Sequence, residues 1–215
     1  MNGVVISLFD YTGNMVRPWA ETGYECYCYD IQHPDCGAET LHGNGRIEFI
    51  HADLMNAVKV DKPDIAFVAA FPPCTDIAVS GAKHFKNKGL RRLADAVHLF
   101  ATAQEVCEAS GAPYMIENPV STISTYWRKP DHIFHPWQYS GYPGGGDDWY
   151  TKKTCLWTGG GFVMPEQKHA DNVTAPDDRI HKAPPGPDRA NFRSATPMGF
   201  ARAVFEANAK EAAGG

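Results

Sequence analysis

A doubly wound, mostly parallel α/β sheet is the fold this sequence predicts, and three observations predict it. Apolar runs of strand length recur through the first half of the chain. One of them, "GVVISLF" at 3–9, is continuously apolar, as a strand covered on both faces should be. The runs are separated by helical patterns that stop at glycines, which gives the β-α-β-α order of a parallel sheet.

The elements follow in chain order. After "GVVISLF" comes "MVRPWAETG", a short helical pattern closed by Gly23. "YECYCYDI" is the second strand and ends in an acid, Asp30; "IEFIHADL" is the third and "DIAFVAAF" the fourth. "LRRLADAVHLFATAQEVCEASG" is the clearest helix, with apolar residues at Leu93, Val97, Phe100 and Ala101 and a stop at Gly111. "PYMIENP" is the fifth strand and carries Glu117 near its end. From 120 to 150 the chain is rich in Pro, Gly and aromatics and predicts an irregular excursion. "TCLWTGGGFV" returns to a strand. Residues 165–192, polar and Pro-rich, predict a long surface loop or a partly disordered stretch. "TPMGFARAVFEANAKEAAGG" predicts a terminal helix, with Pro197 near its first turn and glycines after its end.

Composition bounds the rest. The chain's 215 residues suffice for one domain, 1–215, with a sizeable core. Its 20 Lys and Arg against 25 Asp and Glu give a net charge of -5. A protein whose affinity comes mainly from neutralising phosphates would carry a basic surplus, although a local patch can hide inside an acidic total. No apolar run nears the roughly 18 residues of a membrane span. The start "MNGVVISLFD" has neither a charged leader region nor a cleavage site, so a cytoplasmic location is expected. Six cysteines suit a reduced core. Cys26 and Cys28 would share one strand face, with His33 and Cys36 nearby, but no second cysteine pair closes a tetrahedral zinc site, and no metal is expected.

In open α/β sheets ligands bind beyond the carboxyl ends of the strands. Those ends carry "FDYTGN" (9–14), Asp30, Asp53, "PPC" (72–74) and "ENP" (117–119). An acid at the end of the second strand is where a nucleotide ribose is held. Pro72 and Pro73 fix the backbone and remove two donors directly before Cys74, so this thiol is aimed, which an inert buried cysteine does not require.

These residues resemble the DNA (cytosine-5) methyltransferases, closest to the short versions found in phages and prophages. "LFDYTGNMVRPWAETGYECYCYDI" resembles the opening element that binds S-adenosylmethionine, and "HADL" the acid-bearing strand end that follows it. "FPPCTDIAVSG" resembles the family's Pro-Pro-Cys loop, with the same cysteine-to-glycine spacing. "IENP" resembles its Glu-Asn motif, "KKTCLWTGG" its Arg-rich strand, and "RSATPMGFARA" its last helix. The order is kept over most of the chain. The resemblance implies a Rossmann-like S-adenosylmethionine-dependent methyltransferase acting on cytosine in DNA, in the cytoplasm of a bacterial host.

It also implies roles. Cys74 is the nucleophile at carbon 6, and its thiolate calls for a lowered pKa from a helix N-terminus or a cation. Glu117 holds the ring at N3 and the exocyclic amine; Asn118 and Pro119 fix that carboxylate, and Pro73 stiffens the loop. Phe9 and Gly13 line the methionine side, with Asp10, Thr12 and Asn14 in the same turn. Asp30 binds the ribose, Ile31 lies against adenine, and Asp53, with Leu54 beside it, contacts the adenine amino group. Pro72 borders the cofactor, and Ser194 stands where the family has an asparagine.

Three departures qualify the match. Tyr11 replaces a glycine and Asp10 adds a carboxylate near that of the cofactor, a like-charge contact for which Arg17 is the candidate counter-ion. The family's arginines are absent before "TCLW", where Lys152 and Lys153 are the nearest cations. About 35 residues separate "TCLW" from "RSATP", in place of the target-recognition domain by which a duplex sequence is read. The aromatics of 127–150 either stack on bases or pack the excursion onto the sheet. Three readings stay open: DNA with target choice loose or supplied by a protein partner, a free pyrimidine nucleotide such as dCMP, and a catalytically silent DNA- or nucleotide-binding relative.

Overall fold

The computed structural model describes residues 2–56, 60, 62–171, 174–186 and 188–209; the last six positions of the predicted terminal helix stretch lie outside them. Eight strands form one sheet: β1 (Val4–Leu8), β2 (Glu25–Asp30), β3 (Ala38–His42), β4 (Gly45–His51), β5 (Ile65–Ala70), β6 (Tyr114–Pro119), β7 (His132–Phe134) and β8 (Thr154–Gly159). Helices α1 (Arg17–Glu21), α2 (Phe85–Ala109), α3 (Ile123–Tyr126), α4 (Arg179–Lys182), α5 (Arg189–Ser194) and α6 (Met198–Asn208) connect or follow them.

The strand order is β3-β4-β2-β1-β5-β6-β8-β7. The five central strands, β4-β2-β1-β5-β6, pair in parallel, and β3, β8 and β7 are antiparallel additions. This is the doubly wound, Rossmann-like architecture that the sequence predicts. The chain runs outward from β1 through β2 to β4, then crosses back to β5 and β6. The direction therefore reverses between β1 and β5, and in folds of this class ligands bind at the carboxyl edge of that switch point.

Two apolar layers hold the sheet. On one face α1 and α6 bury Val16, Trp19, Phe200 and Val204 against Val5, Phe67 and Met115, and Trp19 stacks on Phe67 at 5.1 Å. On the other face α2 buries Phe100 and Ala103 against Ile6, Val68, Ile116 and Trp157. Full burial of a side chain such as Phe67 stabilises the fold by roughly 1.5–3 kcal/mol. Cys26 and Cys28 share one face of β2, as their spacing predicts, and both lie in the first layer. The amino end of α6 is capped from a distance: Gly199 N–H donates to Asp148 Oδ2 at 2.7 Å, and burial pushes this carboxyl up to about 6.

Two features depart from the predicted elements. β3 is almost wholly exposed, so it carries no apolar pattern to announce it. The hairpin it forms with β4 turns at Gly43, which is left-handed (φ 57°), and Gly45 lets β4 start against the end of α1, where a side chain would meet the carbonyl oxygens of Tyr24 and Ala20 at 2.4 and 2.5 Å. α2 begins earlier than its apolar period suggests, but Gly89 breaks it (φ 78°, ψ 170°), so the continuous helix starts at Leu90, as the period predicts.

Much of the excursion packs onto the sheet, although Tyr126 and Trp127 stay exposed. Phe134 stacks on Phe200 at 4.0 Å, Tyr139 meets the same ring edge-on at 5.1 Å, and Trp137 meets Trp149 at 5.9 Å. The polar stretch after β8 lies along this excursion rather than looping free. Lys168 N–H donates to Gln138 O (2.9 Å), Gly141 N–H to Lys168 O (2.8 Å) and Thr151 N–H to Asp177 O (2.7 Å). It then forms α4 and α5, with Ile180 and Ala183 buried. Among the described residues no helix is long and apolar enough to cross a membrane.

Candidate active site at the carboxyl edge of the sheet

β2, β1, β5 and β6 are neighbours in the sheet, and adjacent strands lie about 4.8 Å apart. Their carboxyl ends therefore set Asp30, the 9–14 turn, Cys74 and Glu117 side by side. Residues more than 80 positions apart in sequence meet because the topology requires it.

The 9–14 turn is organised by Asp10. Its buried carboxylate accepts from Ser7 Oγ (2.7 Å), Thr12 N–H (3.1 Å), Thr12 Oγ1 (3.1 Å) and Gly13 N–H (2.8 Å). Burial pushes the carboxyl up and these bonds pull it down, with burial prevailing. This revises one expectation: Asp10 points into its own turn and takes the very N–H donors that an incoming anion would use. Among the described residues it makes no ion pair with Arg17. Phe9, at the end of β1, is held in the left-handed region (φ 56°), a conformation that costs a non-glycine residue about 1–3 kcal/mol and tends to occur at functional turns. Gly13, also left-handed (φ 68°), sits so close to Phe49 that a side chain would touch that ring at 3.0 Å. Asn14 Nδ2 donates to Thr196 O at 3.1 Å and ties the turn to the segment between α5 and α6.

Asp30 is buried at the end of β2. One carboxylate oxygen accepts from Gln32 N–H at 2.8 Å, and no other hydrogen bond to this carboxylate occurs among the described residues. Ile31 beside it is 59% exposed, an open apolar surface. Asn191 of α5 reaches Gln32 Oε1 at 3.0 Å, so α5 stands over this edge. Asp53 and Leu54 are placed less favourably. Asp53 uses both oxygens on the turn that follows it, accepting from Met55 N–H (3.0 Å) and Asn56 Nδ2 (3.2 Å). Leu54 is buried in the α2-side core.

The Pro-Pro-Cys loop is fixed on both sides. Pro72 is buried and Pro73 exposed. After Cys74 the chain turns, its carbonyl accepting from Ile77 N–H (3.1 Å) and Ala78 N–H (2.8 Å). Val79 N–H then donates to Val120 O and Thr122 N–H to Ile77 O, both at 3.0 Å, which straps the loop to the chain leaving β6. Lys88 holds it from outside through Thr75 O (2.6 Å) and Asp76 (2.8 Å).

Asn118 does something other than the expected steadying of Glu117. Its Nδ2 donates to Pro72 O at 2.9 Å, with the side chain buried, so it joins the end of β6 to the Pro-Pro-Cys loop. Asn118→Ala should leave that carbonyl short of its partner, cost about 1–3 kcal/mol of stability and loosen Cys74. The expected result is a Tm lowered by several degrees together with at least a tenfold fall in turnover; unchanged turnover would show that the loop holds its place without this bond.

Glu117 and Lys152 form an ion pair, Nζ to Oε1 3.6 Å, with side chains only 13% and 15% exposed. Lys152 is delivered there by β8, which pairs antiparallel with β6 so that Thr154 lies opposite Pro119. Glu117 Oε1 is fully buried and accepts no hydrogen bond. Glu117 and Lys152 face a narrow cleft lined also by Phe71, Ser194, Thr196 and Phe200. Cys74 is not part of that wall, but its thiol lies in the electrostatic field of Glu117, Lys152 and Arg193. Burial and then Glu117 push the thiol up, and Lys152 and Arg193 pull it down without prevailing. The expected lowered thiol is thus corrected: the cations are present, but desolvation outweighs them.

The sequence reading placed Cys74, Glu117 and Ser194 at this edge and underrated three others. Lys152 could be told from Lys153 only once β8 had a register. Arg193 and Thr196 flank Ser194 and could have been read with it. A larger omission lies just past the loop. Residues 83–92 hold Lys83, Lys86, Lys88, Arg91 and Arg92 with no acid among them, and all of these except Lys88 are exposed. Lys88 contacts the Pro-Pro-Cys loop directly. This run is legible as a charge pattern but was submerged in the net negative total.

No protein-family model matches the sequence, and no curated protein matches it. Among solved structures, the chain is similar to the glycopeptide N-methyltransferase MtfA complexed with S-adenosyl-L-homocysteine, with a TM-score of 0.32 and 15% sequence identity. The match covers 80% of this chain, which spans 63% of that protein's length.

Proposed function

We propose that the protein transfers a methyl group from S-adenosylmethionine to carbon 5 of a cytosine in DNA. The observation that carries this reading is the gathering of a thiol on a rigid loop, a carboxylate and an ammonium at the carboxyl edge of the sheet, next to its switch point. The residues ending β2 suit the adenosine half of the cofactor: Asp30 keeps an oxygen for the ribose hydroxyls, and Ile31 offers an apolar surface for the base. The 9–14 turn, its donors engaged by Asp10, suits the methionine half less well, and its contribution is the shape fixed by Phe9 and Gly13. When bound, the cofactor supplies an electrophilic methyl group at its sulfonium.

The remaining chemistry belongs to the chain. Carbon 5 of cytosine is a weak nucleophile, and bonding the Cys74 sulfur to carbon 6 converts the ring into an enamine that is reactive at carbon 5. Glu117, with a buried oxygen that accepts no hydrogen bond within the chain, accepts one from the exocyclic amine and orients the ring. Asn118 keeps the sulfur in place through Pro72. Phe71 and Phe200 give the cleft an apolar wall, which strengthens electrostatic contacts made there.

The basic run 83–92 favours a polymer over a free nucleotide, because several exposed cations beside the nucleophile loop match successive phosphates. The stretch after β8 is held to the excursion by backbone hydrogen bonds and is only about 35 residues long, so target choice is loose or comes from a protein partner. A free nucleotide such as dCMP is the second reading, supported by the net charge of -5. Incubation with labelled S-adenosylmethionine and, separately, duplex DNA, single-stranded DNA and dCMP separates the two. Label is expected in DNA with the wild type and not with Cys74→Ser. Label in dCMP alone supports the second reading, and none in any substrate overturns both.

A further inference from the structure

Exposed apolar side chains occur singly on most protein surfaces, but here several share a flank with the basic run. Val79 (47% exposed) lies on the strap that follows the Pro-Pro-Cys loop, Leu90 (84%) stands among the cations of 83–92, and Tyr126 (73%) ends α3. Contacts along the chain relate these positions. Residues 120–122 are strapped to 77–79 through Val79 N–H to Val120 O and Thr122 N–H to Ile77 O, both at 3.0 Å, and α3 starts at the next residue. Ile123 of α3 is buried in the same layer as Phe100 of α2, and Trp127 meets Phe100 edge-on at 5.8 Å. The end of β6 thus leads into α3 beside the helix at whose start Lys86, Arg91 and Arg92 lie.

The two aromatic residues differ in what they are free to do. Trp127 is engaged, with Phe100 at its edge and the Arg128 guanidinium over its ring at 4.5 Å. The Tyr126 side chain has no ring contact and no hydrogen bond among the described residues. A duplex offers such a ring little, because its bases are stacked on one another and show only their edges in the grooves. Each base of a single strand keeps an open π-face, and cations combined with an aromatic ring hold single strands without sequence preference. An unpaired cytosine also reaches the thiol without first being extruded from a duplex. We propose that this flank is a platform for single-stranded DNA, with Tyr126 stacked on a base of the strand that carries the target and the exposed cations on its phosphates, so that an unpaired cytosine is the preferred acceptor; this rests on the proposed cytosine carbon 5 chemistry. Duplex DNA is then the slower substrate, entering as a pair opens.

An oligonucleotide with one cytosine, offered single-stranded and annealed to its complement, tests this with labelled S-adenosylmethionine. At subsaturating DNA the single strand should be methylated at least about tenfold faster. Its Kd, read by fluorescence anisotropy, should rise about 5- to 100-fold in Tyr126→Ala, while the duplex Kd stays within about twofold. The slope of log K against log salt should not change in this variant, because stacking releases no counter-ions, and Tyr126→Trp should restore the single-strand Kd. The side chain is exposed, so Tm should match that of wild type. Equal rates on the two forms, a single-strand Kd that Tyr126→Ala leaves within about twofold of wild type, or an equal loss on the duplex would overturn the platform and leave the proposed function standing. No label in either form would overturn the proposed function with it.

Discussion

Duplex DNA carrying 5-fluorocytosine, incubated with the wild-type protein and S-adenosylmethionine, is expected to yield a protein–DNA complex that survives denaturing electrophoresis; Cys74→Ala should yield none. Fluorine at carbon 5 cannot leave as a proton, so once sulfur has added and the methyl group has arrived, the C–S bond cannot be expelled. Turnover on ordinary DNA should fall at least about 1,000-fold in the same variant, as expected when a covalent nucleophile is removed. The pH dependence has a definite sign. Burial and Glu117 hold the Cys74 thiol above its ordinary range, so the reactive thiolate is scarce at neutral pH and its fraction rises tenfold per unit below the pKa. Trapping should therefore accelerate as pH rises through 7 and 8, and Glu117→Gln, which removes a raising charge, should move the thiol's alkylation profile to lower pH. A complex that persists in Cys74→Ala would assign the nucleophile elsewhere.

How much of this was legible in the residues follows from the kind of signal each carried. The parallel strands were readable because burial on both faces leaves continuous apolar runs, as in β1 and β5. β3 was not readable, because an exposed edge strand has no apolar period, and β7 was hidden among the aromatics of the excursion. Cys74 and Glu117 were readable because strand-end residues of a doubly wound sheet converge by topology. Asp10 was misjudged for a different reason. Its charge was visible, but the four donors that turn it inward come from the backbone and from the side chains of Ser7 and Thr12, and a turn's hydrogen bonds are not written in any single residue. Lys152 needed the register of β8 against β6 before it could be set beside Glu117. The thiol's upward shift needed burial, which no local motif encodes.

Replacing Lys83, Lys86, Arg91 and Arg92 together by glutamine should weaken DNA binding by more than any change in the cleft. All four are exposed, and Lys88 is left in place because it holds the nucleophile loop, so the variant should fold with a Tm close to that of wild type. Each phosphate contact contributes about 0.9 to the slope of log K against log salt on duplex DNA, and about 0.7 on single strands. Loss of four contacts should therefore flatten the duplex slope by roughly 3 to 4. The same variant should raise KM for DNA at least about tenfold at physiological salt while kcat at saturating DNA stays within about threefold, because phosphate contacts act equally in ground and transition states. The division between KM and kcat matters more than the size of the loss. Phosphates held by these exposed cations would lie near the loop of Cys74, which Lys88 contacts through Thr75 and Asp76. On the proposed reading, DNA docked this way would bring a base to the thiol without a separate recognition domain. A slope that does not change in the quadruple variant would place the backbone on another surface and return the free nucleotide to first place.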